Sequence, residues 1–325
     1  MAASLTAGAV FGSALTASGV YSPSIIISQM HLSNFHMLQV FLAASGTTTI
    51  AIFLARRVNL ALSLPCPPSP LGLFQYDGNV IGGLVLGAGM TLTGACPGTV
   101  LVQVATGLRS GYFALLGGLV GGTLYAFLES SIRPARLAPK SKDDVPTLTL
   151  YEKLGVSEGS VFVVYEAMLL IAVAVAGMLS PRTDGVLLKP VMGGLAIGGA
   201  QVVCWALTPD TVGVSSGYEQ IGSIARWLVG AGAFPATESI TFVIGVFSGS
   251  FVLSRLVGLA DIPGGGASIR DLTAITGGVA MVLGARIARG CTSGHGISGM
   301  STFSLASIVS VASMFAGGIA LALIL

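Results

Sequence analysis

Long apolar runs recur along the whole chain, separated by short polar stretches. The clearest runs lie at 37–54, 112–128, 160–179, 240–256 and 304–325. A helix needs roughly 20 apolar residues to cross about 30 Å of hydrocarbon, so runs of this length predict membrane-spanning helices. We therefore expect an all-α polytopic membrane protein in a lipid bilayer, with roughly nine transmembrane helices.

The second half of the chain repeats the first at two constant offsets, 195 residues for one set of positions and 186 for another. The pairs at 195 residues are Gly82 with Gly277, Gly83 with Gly278, Gly89 with Gly284, and Cys96 with Cys291. The pairs at 186 residues are Gly12 with Gly198, Ser18 with Cys204, and Pro23 with Pro209. An insertion or deletion between the two sets explains the difference, so the pattern indicates a duplication.

Each half is predicted to hold a broken segment, a clean span, a glycine-rich segment ending in a cysteine turn, and a last span. The breaks fall at Ser22-Pro23 and Thr208-Pro209. The predicted units are a first membrane repeat (1–128), a polar linker (129–159), an additional transmembrane helix (160–185) and a second membrane repeat (186–325). If each half crosses the membrane an even number of times, the single additional helix between them makes the second half enter from the opposite face. This arrangement predicts an inverted repeat.

The two cysteine turns are the segments most suggestive of function. Proline cannot continue a helix and glycine leaves the backbone free, so residues of these types expose a thiol on a turn. They flank the two cysteines in the order Gly94, Cys96, Pro97, Gly98 and Gly290, Cys291, Thr292, Ser293, Gly294. Broken or re-entrant helices are therefore expected at 82–106 and 277–301, with a continuous helix kinked at Pro97 as the alternative.

Other polar residues near the turns have two interpretations each. His295 follows Cys291 by four residues and is either part of the pathway or structural. Arg286 and Arg289 either supply positive potential for an anion or extend to the membrane interface. Cys204 is either a third thiol of the pathway or a packing residue.

Composition excludes several classes of protein. Hydrophobic residues make up 53% of the 325 residues and charged residues 9%, against about 25% charged in soluble domains. The mean hydropathy is +0.88. A net charge of +2 without a basic cluster argues against a nucleic-acid partner. Four scattered cysteines form neither a CxxC metal site nor a disulfide framework, and no hydrolase or phosphate-loop motif is present. We therefore expect that the protein binds no cofactor and is not an enzyme.

The second turn reads Gly-Cys-Thr-Ser-Gly-His-Gly-Ile-Ser-Gly and, with the first turn and the glycine-rich halves, resembles the YeeE/YedE sulfur-transport family. The resemblance implies an hourglass-shaped helical protein of the cell membrane that takes up thiosulfate past three cysteines, and a sulfur-carrier protein on the cytoplasmic side. Two of those cysteines map onto Cys96 and Cys291. The third position reads Tyr21-Ser22-Pro23 here, so Ser22 or Cys204 is the candidate replacement.

These observations predict a transporter or channel for thiosulfate, or a closely related sulfur anion, that passes the ion along thiols at a central constriction. Thiols are weak hydrogen-bond donors, which suits transient contact with a travelling anion. The alternative is a membrane thiol enzyme or redox sensor that reacts covalently with sulfur compounds.

Overall fold

The computed structural model describes residues 1–58, 65–133, 147–181, 186–208, 213–258 and 269–325. The described part is built from α-helices and one π-helical segment. Within it, seven helices are long and apolar enough to cross a membrane, or up to nine if each of two bent helix pairs counts as one span. The predictions of an all-α fold and of roughly nine spans are therefore confirmed.

The helices in chain order are α1 (Ala2–Ser18), α2 (Pro23–Met30), α3 (His36–Arg57), α4 (Asp77–Thr93), α5 (Pro97–Ala105), α6 (Arg109–Ile132), α7 (Leu150–Leu154), α8 (Glu158–Leu179), α9 (Pro190–Leu207), α10 (Ser215–Leu228), α11 (Glu238–Val257), α12 (Asp271–Ile287), the π-helical segment π1 (Thr292–Gly299) and α13 (Leu305–Ala322). Within the predicted linker 129–159, α6 runs to Ile132 and α8 begins at Glu158. Residues 134–146 of that linker, and Pro209 of the second predicted break, lie outside the described residues.

The predicted breaks fall where glycine and proline occur. Gly19 ends α1 in a left-handed conformation, Pro23 starts α2, and the two helices are bent by 70°. Gly94, with a φ of 57°, ends α4, and α5 starts at Pro97, yet the two run on as one 29-residue span. α12 and π1 bend by 41°. The first cysteine segment thus continues as one span interrupted at the turn, and the second is a helix pair bent at the turn.

Glycine allows the matched helices of the two halves to cross closely. α4 packs on α12 with Gly82 against Gly284 and Gly89 against Gly277. A Cβ added to Gly82 would lie 2.6 Å from the Gly284 carbonyl oxygen, and one added to Gly89 would lie 2.7 Å from that of Gly277. Under the predicted repeat, Gly82 matches Gly277 and Gly284 matches Gly89. Exchanging both residues of the first contact for their matches therefore gives the second contact. The two helices run antiparallel, as an inversion requires, although the inverted repeat itself stays a prediction.

Packing between the halves follows the same crosswise scheme. α1 packs on α11 while α3 packs on α9, and α4 packs on α13 while α12 packs on α6. α1 and α9 run antiparallel, because the Leu188 amide donates to the Ala17 carbonyl and the Cys204 thiol to the Ala7 carbonyl. Helices of each predicted repeat thus pack mainly against helices of the other.

The helix ends define two faces. On the first face lie the ends of α3, α6 and α12 and the starts of α4, α8 and α13: Arg56 pairs with Glu158, and Arg133 and Ser69 both donate to the Ile287 carbonyl. On the second face, Arg109 at the start of α6 pairs with Asp271 at the start of α12. The Cys96 turn interrupts α4–α5 between these faces, and the Cys291 turn follows the end of α12.

Candidate functional site

Cys96 is the N-cap residue of α5. The Cys96 amide donates to the Thr99 hydroxyl at 2.7 Å, while the Thr99 amide and hydroxyl lie 3.5 and 3.4 Å from the Cys96 sulfur. This is a capping box in which a thiol takes the place of the usual hydroxyl. The sulfur therefore lies at the positive end of a helix dipole, among donors that suit a negatively charged partner.

Cys291 is in the equivalent position at the start of π1. Its sulfur lies 3.3 Å from the Ser293 hydroxyl and has hydrogen-bonding neighbours in Gly294 and in Ser215, which begins α10. Only 1% of Cys291 is exposed. Two helix N-termini, those of π1 and α10, therefore meet at this sulfur.

The two turns meet at one cavity of about 50 Å³. Cys96, Gly98 and Thr99 line it from the first turn, and Thr292 and Ser293 line it from the second. Cys291 directly precedes the last two and is not itself a lining residue. The remaining walls are apolar and come from α1, α3, α9, π1 and the α1–α2 break: Phe11, Leu15, Val20, Met37, Val40, Phe41, Ala44, Ile197 and Ile297.

Buried side chains fix the position of the first turn. Gln103 donates to the carbonyls of Tyr21 and Gly94, at 2.8 and 2.9 Å. Tyr218 of α10 donates to the Pro97 carbonyl at 2.9 Å and lies within electrostatic range of both cysteines. The two thiols also lie within electrostatic range of each other. The fold therefore brings together two residues that are far apart in sequence.

Ser22 lies beside the Cys96 turn, because the αL residue Gly94 packs against Pro23. Ser22 is the N-cap residue of α2, and its hydroxyl shares a hydrogen bond of 2.9 Å with the Ser24 hydroxyl. Its backbone break contributes Val20 to the cavity wall. Of the two candidates for the missing third cysteine, Ser22 is thus the one next to the turn.

Cys204 lies elsewhere, two helical turns beyond the cavity residue Ile197 on α9. Its thiol donates to the Ala7 carbonyl at 3.6 Å in the interface with α1. Of the two open interpretations, the geometry favours a packing residue.

His295 and Arg289 also lie outside the cavity lining. The His295 ring bridges Ser307 at 3.0 Å and the Ala288 carbonyl at 2.9 Å, next to Gly290, which ties π1 to α13 and to the end of α12. Arg289 is exposed, with a φ of 65°, at the first face. His295 therefore stabilises the second turn without lining the cavity, and Arg289 lies on the exposed side of that turn.

Sequence reasoning missed three residues that contact the sulfurs or their turns: Thr99, Ser215 and Tyr218. For Thr99 a signal existed, since a small capping residue followed at the third helical position by a hydroxyl side chain is typical of a helix start. Ser215 and Tyr218 come from α10, and only the tertiary fold places them at the turns.

Comparisons with known proteins identify what this arrangement resembles. A family described as sulphur transport matches residues 17–320. A probable transporter of Xylella fastidiosa strain 9a5c is 34% identical over 133 residues, which is 41% of this chain and 90% of that relative, and one from strain Temecula1 is 32% identical over the same length. The thiosulfate transporter TsuA of Escherichia coli K12 is 24% identical over 294 residues, covering 82% of this chain and 78% of that relative.

Proposed function

Because the chain belongs to the sulphur transport family, the YeeE/YedE family of the resemblance, we propose that it carries thiosulfate across the membrane past Cys96 and Cys291. The protein is a multi-pass transporter of the plasma membrane and not an enzyme, as the family shows. The substrate and the route past the thiols are the proposal.

The observation that carries the proposal is the pair of cysteines at the N-cap positions of α5 and π1. Cys96 lines the cavity, and Cys291 directly precedes the lining residues Thr292 and Ser293. Thiosulfate is a dianion, and moving it into an apolar wall costs free energy unless donors replace its water. Helix N-termini at α5, π1 and α10 supply backbone donors and positive potential without a full charge that would trap the ion.

The thiols suit the soft terminal sulfur of thiosulfate. An S–H group is a weak donor, so contact with it is easily broken and the ion can pass on. Thr99 and Ser293 flank the two thiols with hydroxyl groups that can hydrogen-bond to the oxygens of the anion. Passage from Cys96 to Cys291 requires the second turn to move, because Cys291 lies outside the cavity lining.

Two finer points belong to the same proposal. Ser22 serves in place of the third family cysteine, since it lies beside the Cys96 turn. A sulfur-carrier protein receives the anion on the cytoplasmic side, which follows from the family resemblance alone.

Growth of a sulfur-auxotrophic host tests the substrate. Cells that depend on this protein should grow on thiosulfate as the sole sulfur source and not on sulfate or sulfite. Growth on sulfate or sulfite alone would overturn the choice of substrate. Reconstituted vesicles without an electron donor should accumulate thiosulfate chemically unchanged, whereas recovery of an oxidised or cleaved sulfur species would favour covalent thiol chemistry instead.

A further inference from the structure

Three arginines lie together at the first face, where α12 ends and the Cys291 turn begins. Arg133 ends α6 and donates to the Ile287 carbonyl at 2.7 Å, to the Arg286 carbonyl at 3.2 Å and to the Tyr125 hydroxyl at 2.9 Å. Arg289 lies within electrostatic range of both Arg133 and Arg286. Like charges repel, so such a group needs a compensating interaction.

Arg286 connects this cluster to the second thiol. Its guanidinium lies over the Tyr125 ring at 5.7 Å, pairs with Glu219 of α10, and makes long contacts of 3.5 and 3.3 Å with the hydroxyls of Ser215 and Ser216. Ser215 is itself a hydrogen-bonding neighbour of the Cys291 sulfur. One residue therefore separates the Arg286 guanidinium from the thiol.

Two buried donors of the cluster have no acceptor in the described part of the chain: Nη1 of Arg133 and Nε of Arg286. Buried N–H groups of charged side chains are costly to leave unpaired. Among the described residues, the carboxylates within range are Glu219, which pairs with Arg286, and Glu129. The cluster thus has an excess of positive charge and of unused donors, arranged beside a thiol.

We propose that Arg286, Arg133 and Arg289 form an anion-binding site at the first-face end of the pathway, and that Glu219 competes with the anion for Arg286. The inference rests on the proposed function and adds a second binding position to it. Planar guanidinium groups bind the oxygens of a sulfonate-like group in pairs, while the thiol contacts the soft sulfur. The anion would then lie with its oxygens toward Arg286 and its terminal sulfur toward Cys291.

Initial rates of radioactive thiosulfate uptake in cells test this site with Arg286→Gln, Arg286→Lys and Arg289→Gln. Loss of one charge-assisted bond should lower the rate at subsaturating thiosulfate about tenfold in Arg286→Gln. Arg286→Lys should keep about a third of the rate, because it keeps the charge and loses the paired geometry. Arg289→Gln, at an exposed position, should fold normally and lose about threefold.

Arg56→Gln is the matched control, since Arg56 forms an ion pair with Glu158 at the same face, between α3 and α8. Its rate should stay within about twofold of wild type. Glu219→Gln frees Arg286 and should lower the thiosulfate concentration that gives half the maximal rate. If Arg286→Gln does not accumulate, the double variant with Glu219→Gln removes the unpaired buried carboxylate and should show the same loss.

The outcomes separate the two proposals. If wild type takes up no thiosulfate, the proposed function fails. If wild type transports while folded Arg286→Gln and Arg289→Gln both match Arg56→Gln, the anion site is wrong and the proposed function stands. Unchanged half-saturation in Glu219→Gln would contradict the competition between that carboxylate and the anion.

Discussion

Thr99 holds the Cys96 sulfur through both its amide and its hydroxyl, and thereby fixes where the thiol points. Replacing it with valine keeps the shape and removes the hydroxyl. We expect Thr99→Val to lower stability by about 1 kcal/mol, as the loss of a helix cap does, and to reduce thiosulfate uptake severalfold.

Thr99→Ser is the control, since serine retains the hydroxyl group. Uptake measured in cells, with stability followed by thermal unfolding of the purified protein, distinguishes the two variants. Equal uptake in Thr99→Val and Thr99→Ser would show that the hydroxyl does not act on the thiol.

A substitution at Cys204 tests whether this thiol is a packing residue or part of the transport pathway. Because its thiol contacts the Ala7 carbonyl in the α1–α9 interface, Cys204→Ala should leave uptake within about twofold of wild type and cost about 1 kcal/mol of stability. A transport assay beside a thermal unfolding curve checks both. Abolished uptake in a folded Cys204→Ala protein would restore it as a thiol of the pathway.

The turns themselves could be predicted because glycine and proline act locally: Gly94 and Pro97 end one helix and begin the next wherever they occur. The partners of the sulfurs could not. Ser215 approaches Cys291 from a helix 76 positions earlier in the sequence, and nothing local in either segment records that contact.

α4 and α12 cross so closely at their glycines that the backbone of one helix occupies the space which a side chain of the other would need. The Cβ added in Gly284→Ala would collide with the Leu86 amide nitrogen. We therefore expect the free energy of unfolding to fall by about 1–3 kcal/mol and the unfolding temperature to fall with it. Gly199→Ala is the matched control on α9, where a Cβ would meet no atom of the described residues within 4 Å.

Gly199→Ala should be neutral or stabilising by up to about 1 kcal/mol, because alanine favours the helix. Thermal unfolding of the two purified variants compares them directly. Equal unfolding temperatures would mean that the α4–α12 contact does not hold the halves together.

The repeat matches Gly82 with Gly277 and Gly89 with Gly284, but the contacts in the structure join Gly82 to Gly284 and Gly89 to Gly277, so the sequence did not predict the crossing. The sequence left open whether α4 and α5 form a broken segment or one helix kinked at Pro97, and it did not reveal that the second turn is π-helical. Glycine permits many backbone paths, and the choice among them is made by neighbours such as Pro23 against Gly94.

At the scale of the whole molecule, the prediction is that two repeats make up the membrane part of the chain. The two Xylella relatives match over 133 residues, 90% of their own length and 41% of this chain, so each is about as long as one predicted half. This size relation supports the proposed duplication independently of the glycine pattern.

Orientation follows from charge. Among described residues, the first face carries Arg56, Arg57, Arg133, Lys153, Arg226, Arg286 and Arg289, and the second carries Arg109, Lys189, Arg255 and Arg270. Cytoplasmic loops carry the excess of such residues, so we expect the first face to lie in the cytoplasm.

An impermeant maleimide applied to whole cells should label the Lys189→Cys variant and should not label the Lys153→Cys variant. The reverse labelling pattern would show the opposite orientation.

Thiosulfate uptake into sealed vesicles that contain only the purified protein tests the central claim, that the ion passes the two thiols. Wild type and Cys66→Ala should transport alike, because Cys66 lies between α3 and α4, outside the spans. Cys96→Ala and Cys291→Ala should fold normally and lose uptake. Uptake retained by both folded alanine variants would contradict the account.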